Sequence, residues 1–207
     1  RKADEGKYIQ PQIKNADVVT NFSRKRYESV DLNYKVIGDR GNHLMKKLKT
    51  FYDLHKDFLI ACKSLSFEYD LIQGAGGNLS YKFDDKIIIT SSGYTMSDVS
   101  MLNGYSVCNL NSKPINDCQK RPSMELGMHI KFVSPIVVHT HPIYLNTILC
   151  SQNGKEIIEN ILDTYKYISY VQPGRMLADT LDRYANEKVI LLENHGLICC
   201  GDTFEEA

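Results

Sequence analysis

Two histidines, His139 and His141, stand two residues apart in the run SPIVVHTHP. A buried strand over about Ile136 to His141, stopped by Pro142, turns both imidazoles to one face, because side chains alternate with a period of two. That geometry suits a single metal ion. A third histidine, His195, lies in the apolar run VILLENHGLICC between Asn194 and Gly196, where the glycine admits close backbone approach. Three neutral imidazoles leave one position of tetrahedral zinc open, the arrangement of a catalytic rather than a structural site. An isolated histidine near a strand end is more commonly a hydrogen-bonded core residue than a ligand, so the pair carries more weight than any single ring. His43, His55 and His129 are read in that ordinary way: one in a linker, one on a helix stripe and one on the helix after Ser123.

Glu125 falls in the first turn of a helix expected over about residues 123–133, just ahead of the strand that delivers the histidines. It could act as general base or as a displaceable fourth ligand. An acidic residue in a first turn is also what the helix dipole favours. The loop Gly74-Ala75-Gly76-Gly77-Asn78 has glycines that let backbone N–H groups converge on an anion. It is not a dinucleotide fingerprint, since Leu79 occupies the third glycine position, and it lacks the Gly-Lys-Ser/Thr ending of a P-loop. Ser91, Ser92 and Gly93 could add hydroxyl and amide donors, although the two segments also read as a pair of hairpin turns.

The elements that must position these residues follow from periodicity. Leu44, Leu48, Phe51, His55, Phe58, Leu59 and Cys62 share one helical stripe. NLSYKF and KIIIT flank the turn pair Asp84-Asp85 as a hairpin, and residues 104–120 hold a further strand pair. Ser123 is a plausible N-cap for the helix that follows. Two amphipathic helices are expected over 155–165 and 174–184, and VILLENHGLICC reads as one last strand buried on both faces. Strands and helices intermix without a strict βαβ rhythm, which predicts an α/β fold with helices packed on a mixed or antiparallel sheet. Residues 1–42 read as an N-terminal extension of strand and loop, and 43–207 as the main domain.

Composition excludes several partners. The 207 residues are 43% hydrophobic, enough for one packed domain plus an appendage. Lys and Arg number 25 against 25 Asp and Glu, so no overall field draws nucleic acid or an anionic membrane. No apolar run approaches the roughly 18 to 20 residues of a membrane span, and RKADEGKYIQ lacks a signal-peptide core. The expectation is a soluble, cytoplasmic protein. Its 6 cysteines show no CxxC pair and are read as free thiols in a reducing compartment. The missing initiator Met, and a helix start at Thr203 with Glu206 three residues later that ends within a turn, suggest a piece of a longer polypeptide.

Taken together, GAGGNLSYK, IIITSSG, RPSMELGMH, VVHTHP and LLENHGLICCGDTFEEA, in this order and spacing, resemble the class II aldolase/adducin family over roughly residues 48–207. QGAGGNLSYK with SYVQPGRMLAD looks most like its fuculose- and rhamnulose-phosphate aldolase branch, in particular the aldolase domain of bifunctional rhamnulose-phosphate aldolase/dehydrogenases. The resemblance implies a three-layer α/β/α sandwich, a homotetramer, and Zn2+ held by His139, His141 and His195. By the same resemblance Glu125 shuttles a proton, while Gly77, Asn78, Ser92, Gly93 and Ser123 fall where the family grips a substrate phosphate. The implied activity is a metal-dependent aldolase that cleaves or forms a C–C bond in a sugar or sugar phosphate through an enediolate. A pentulose-phosphate 4-epimerase, a dehydratase, a decarboxylase and a non-catalytic adducin-like module are the alternatives on this scaffold. Met124 departs from the pattern, because phosphosugar aldolases of the family commonly carry two serines before the glutamate; an unphosphorylated substrate fits that change. The family also lends residues of its C-terminal tail to a neighbour's site, and this sequence stops before that tail. EGKYIQPQIKNADVVTNFS faintly resembles the closing segment of P-loop kinases of the uridine kinase type.

Overall fold

The computed structural model describes residues 18–24, 30–36, 39–115 and 120–207. It divides into two compact units, residues 1–53 and 54–207. In the first, β1 (Val18–Arg24) and β2 (Val30–Val36) form an antiparallel pair running from Val18 opposite Val36 to Arg24 opposite Val30. Most of the kinase-like segment lies outside the described residues. Helix α1 spans Asp39–Leu65. His55, Phe58 and Cys62 are buried on the expected stripe, and the side chains of Leu44 and Leu48 lie outside the described residues.

The second unit is built on a seven-stranded sheet. Its strands are β3 (Asn78–Phe83), β4 (Lys86–Thr90), β5 (Tyr105–Asn109), β6 (Ile136–Thr140), β7 (Lys166–Ile168), β8 (Val189–Leu192) and β9 (Gly196–Gly201), in the order β5-β4-β3-β6-β9-β8-β7. All neighbours are antiparallel except β7 and β8, so the sheet is mixed, as expected. The β3–β4 hairpin turns at Asp84-Asp85, with Asp84 at φ 53. Aspartate tolerates the left-handed region better than most residues.

Helices cover both faces. On one, α2 (Leu126–Lys131) and α5 (Arg175–Leu181) pack Met128, Leu177 and Leu181 against Val137, Ile190, Leu192 and Ile198. On the other, α3 (Ile143–Leu149) and α4 (Gly154–Ile161) bring Leu149 and Ile158 against Leu191. Neighbours on β8 thus point to opposite helical layers, which is why its sequence is apolar throughout. Phe58 of α1 meets Tyr81 on the same side as Leu191, because Tyr81 and the residues beside it alternate across β3. The result is the three-layer α/β/α sandwich.

Four expectations are corrected. VILLENHGLICC is not one strand: β8 and β9 are joined by a tight turn over Glu193–His195, with Leu192 opposite Gly196 and Asn194 at φ 55. The helix after Ser123 is shorter than 123–133, beginning at Leu126, so Glu125 occupies the residue before it rather than its first turn. Ser123 does not cap that helix in the usual way; its Oγ accepts from the Glu125 N–H at 3.2 Å, making a turn that leads into it. The helix expected over 155–165 ends at Ile161, and Lys166–Ile168 become the edge strand β7.

Candidate metal centre

The antiparallel β6–β9 ladder and the β8–β9 turn together bring three imidazoles to one end of the sheet. His139 is the penultimate residue of β6 and His141 follows its end; the period of two aims both the same way, and their Nε2 atoms lie 2.9 Å apart. His195 sits in the β8–β9 turn, where its N–H donates to the Leu192 carbonyl at 3.1 Å and its carbonyl accepts from Asn146 Nδ2 at 3.0 Å. One ligand atom from each ring lies within 4.8 Å of the others.

Two glycines allow this approach. Gly77 has φ +74, and a Cβ there would come within 2.6 Å of the His139 carbonyl oxygen. Gly196 packs against the Thr140 carbonyl and the His141 ring, where a Cβ would collide with both. Any larger residue at either position would push the turn away from β6.

Proton positions follow from the partners. Nδ1–H of His139 donates to the Leu197 carbonyl at 2.9 Å, since a carbonyl can only accept, which leaves its Nε2 lone pair facing the cluster. Burial pushes the His139 imidazolium down to about 4 and lowers that of His141 too, so both rings are neutral near pH 7. His141 Nε2 lies within hydrogen-bond distance of the His139 Nε2 lone pair, and with both atoms unprotonated a cation could be shared between them. The donor set of three imidazoles beside a carboxylate is therefore one that a divalent transition metal ion could take up. His195 Nδ1 is buried with no hydrogen-bond partner among the described residues.

The carboxylate is Glu125, whose Oε1 lies 3.2 Å from His195 Nε2 and whose Oε2 lies 3.5 Å from His139 Nε2. Burial alone would raise its pKa. Hydrogen bonds from His195 and from Asn78 Nδ2, the latter at 2.7 Å, help to outweigh burial and hold the carboxyl well below the usual range. Glu125 is thus an ionised acceptor.

In front of the cluster lies a cavity of about 350 Å³. Gly77, Asn78, Ser92, Gly93, Ser123, Glu125, His141 and His195 all line it, so eight of the nine residues singled out from sequence share one wall; His139 lies behind them, fully buried. Met124 stands at the rim with 72% of its surface exposed.

Residues 57–207 match the family model described as "Class II Aldolase and Adducin N-terminal domain". The chain belongs to this family. An L-fuculose phosphate aldolase of Methanococcus vannielii is 29% identical over 163 residues, covering 73% of this chain and 86% of that protein. An uncharacterized oxidoreductase, YuxG, of Bacillus subtilis is 34% identical over 115 residues, covering 53% of this chain; the matched stretch is only 16% of YuxG's length. The N-terminal class II aldolase domain of a Thermoplasma acidophilum protein shares the fold, with a TM-score of 0.67 and 21% identity over 73% of this chain and 85% of that one.

Within this class II aldolase domain, three positioning contacts escaped the sequence reading. Asn146 holds the His195 turn, Ser80 holds His129, and His129, the hydrogen-bonded core histidine expected, spends one of its bonds on Asn78 behind Glu125. One signal was present: His129 follows Glu125 by four residues, which puts both on the same helical face. Among the described residues, no helix is long and apolar enough to cross a membrane.

Proposed function

We propose that the chain is a divalent-metal-dependent aldolase-type lyase acting on a sugar or sugar phosphate, with residues 43–207 as its catalytic domain and a homotetramer as its assembly. The observation that carries this reading is Glu125: an ionised carboxylate within 3.5 Å of two of three clustered imidazoles, at the wall of a cavity large enough for a small sugar. His139, His141 and His195 would hold the metal, zinc by resemblance to the family, since imidazoles also accept other divalent transition ions. A metal bound there supplies Lewis-acid polarisation of a substrate carbonyl and its neighbouring hydroxyl.

The chain's own residues do the rest. In retro-aldol cleavage the hydroxyl on the carbon beyond the breaking bond gives up its proton, through water, to the ionised Glu125 carboxylate; the C–C bond breaks, an aldehyde leaves, and the electron pair stays on the former bonding carbon of the retained fragment as an enediolate. Glu125 then delivers that proton to the retained carbon, and in the condensing direction it removes one from it. Residues of the Gly77-Asn78 and Ser92-Gly93 turns, with Ser123, line the cavity, and an anionic or hydroxylated end of the substrate would bind there.

Metal analysis of the full chain, purified without added metal, tests the reading first. We expect about one divalent ion per chain, lost in both His139→Ala and His195→Ala, because removing one of three ligands breaks the coordination set. Ketose phosphates and free ketoses should then release aldehyde only with the metal-loaded chain. Metal retained at full stoichiometry in either variant would contradict the ligand assignment. Epimer formed without aldehyde release would assign the 4-epimerase reaction instead.

A further inference from the structure

The face of β3 that looks toward α2 carries polar residues at alternate positions, Asn78, Ser80 and Lys82, and α2 engages each of them. Lys82 Nζ donates to the carbonyls of Ile130 and Phe132, capping the helix C-terminus. Ser80 Oγ lies 2.7 Å from His129 Nδ1. Asn78 bridges His129 Nε2, through its Oδ1, and Glu125 Oε2, through its Nδ2 at 2.7 Å. His129 and Ser80 are fully buried and Asn78 nearly so, so water does not compete for these bonds.

Chemistry fixes the direction of every bond in this chain. A carboxylate only accepts, so Asn78 must present its NH2 to Glu125 and its carbonyl oxygen to His129. A carbonyl oxygen also only accepts, so His129 must carry its proton on Nε2. A neutral imidazole has one N–H, so Nδ1 is the acceptor and the Ser80 hydroxyl donates to it. Burial pushes the His129 imidazolium down to about 3, consistent with a neutral ring. The opposite tautomer would face a lone pair against Asn78 Oδ1, and relief by flipping the amide would turn that oxygen toward the Glu125 carboxylate.

We infer that His129 is a positioning residue: by donating from Nε2 it holds the Asn78 carboxamide with its NH2 toward Glu125, and so sets where the carboxylate stands. The catalytic consequence rests on the reading of Glu125 as proton carrier; the orientation of Asn78 does not. The spacings match this task. Four residues of chain, from the residue that precedes α2 to its fourth position, place Glu125 and His129 on either side of Asn78, and two residues along β3 place Ser80 behind the ring.

Selective 15N labelling of histidine and asparagine in the full chain reads the arrangement without an assay of turnover. His129 should show the Nε2–H tautomer near pH 7, and one Asn78 amide proton should lie far downfield, as expected for donation to a carboxylate. In His129→Leu that proton should return toward the position of an ordinary carboxamide, while His129→Gln, which keeps a donor near Nε2, should leave it downfield. An Nδ1–H tautomer in the parent chain, or an Asn78 signal unmoved in His129→Leu, would overturn the inference. If the leucine variant does not fold, the parent tautomer and the glutamine variant decide. With an active parent, His129→Leu should keep its metal and its KM but lose turnover by roughly tenfold or more, and glutamine should restore most of it. Equal turnover in parent and leucine variant would overturn the catalytic role, whereas an inactive parent would remove the lyase reading and leave the spectra standing.

Discussion

At the residue scale the site turns on one carboxylate whose environment pulls in two directions. Burial disfavours its charge, and the donors from Asn78 and His195 restore it. Glu125→Gln keeps the shape but turns a second amide toward the Asn78 NH2 and the His195 ring, and it removes the proposed proton carrier. We expect bound metal and fold to persist while turnover falls by roughly a hundredfold or more. Metal content and steady-state rates measured side by side check this, and unchanged turnover would move the proton carrier elsewhere. Glu125 and the three histidines were legible in the sequence, because a period of two and an acid just upstream are local patterns. His129 was not, since its partners Ser80 and Asn78 lie 49 and 51 residues away.

At the scale of elements, two turns press against β6, the Gly74–Asn78 loop and the β8–β9 turn. The first tolerates no side chain at Gly77, where φ is +74 and the His139 carbonyl stands where a Cβ would go. Gly77→Ala should therefore destabilise the chain by about 1–3 kcal/mol, as strained left-handed residues do. It should weaken metal binding too, because the shift falls on the strand bearing His139. Thermal melts with and without metal measure both effects; a variant that melts and binds like the parent would show that the loop yields freely. The β8–β9 turn interrupts a run that reads as continuous strand, although Asn194 and Gly196 bracket His195 as turn formers. An unbroken apolar run on both sides hid it: β8 and β9 are each buried in the sandwich, so no polar alternation marks where one ends.

At the scale of the whole molecule, buried neutral histidines tie stability to pH. His129 and His139 titrate in the folded chain at about 3 and about 4, below the ordinary 6.5, because burial disfavours their charged forms. Unfolded, the same rings take protons near the ordinary value. Between these limits the unfolded state binds more protons, so stability rises with pH; it is present above the ordinary histidine value and drains away as pH falls through the folded values. Glu125, held low in the folded chain, acts with the same sign. The urea midpoint of the metal-free chain should thus fall between about pH 7 and about pH 4, and His129→Gln should flatten the trend. A midpoint independent of pH would contradict the burial of these rings.

The sequence by itself determined the residue types and the local geometry. The HxH pair on a strand, the glycine-rich loop, the hairpin at Asp84-Asp85 and the stripe of α1 all follow from periods of two and 3.6 and from turn chemistry, which act over a few residues. Only the tertiary structure decided which distant residues meet. It split the last apolar run into a hairpin, put His195 in that turn with its ring against that of His139, and ran a chain of hydrogen bonds from Ser80 through His129 and Asn78 to Glu125. Those pairings depend on strand order and on which helix covers which face, and both are set by burying all apolar surfaces at once.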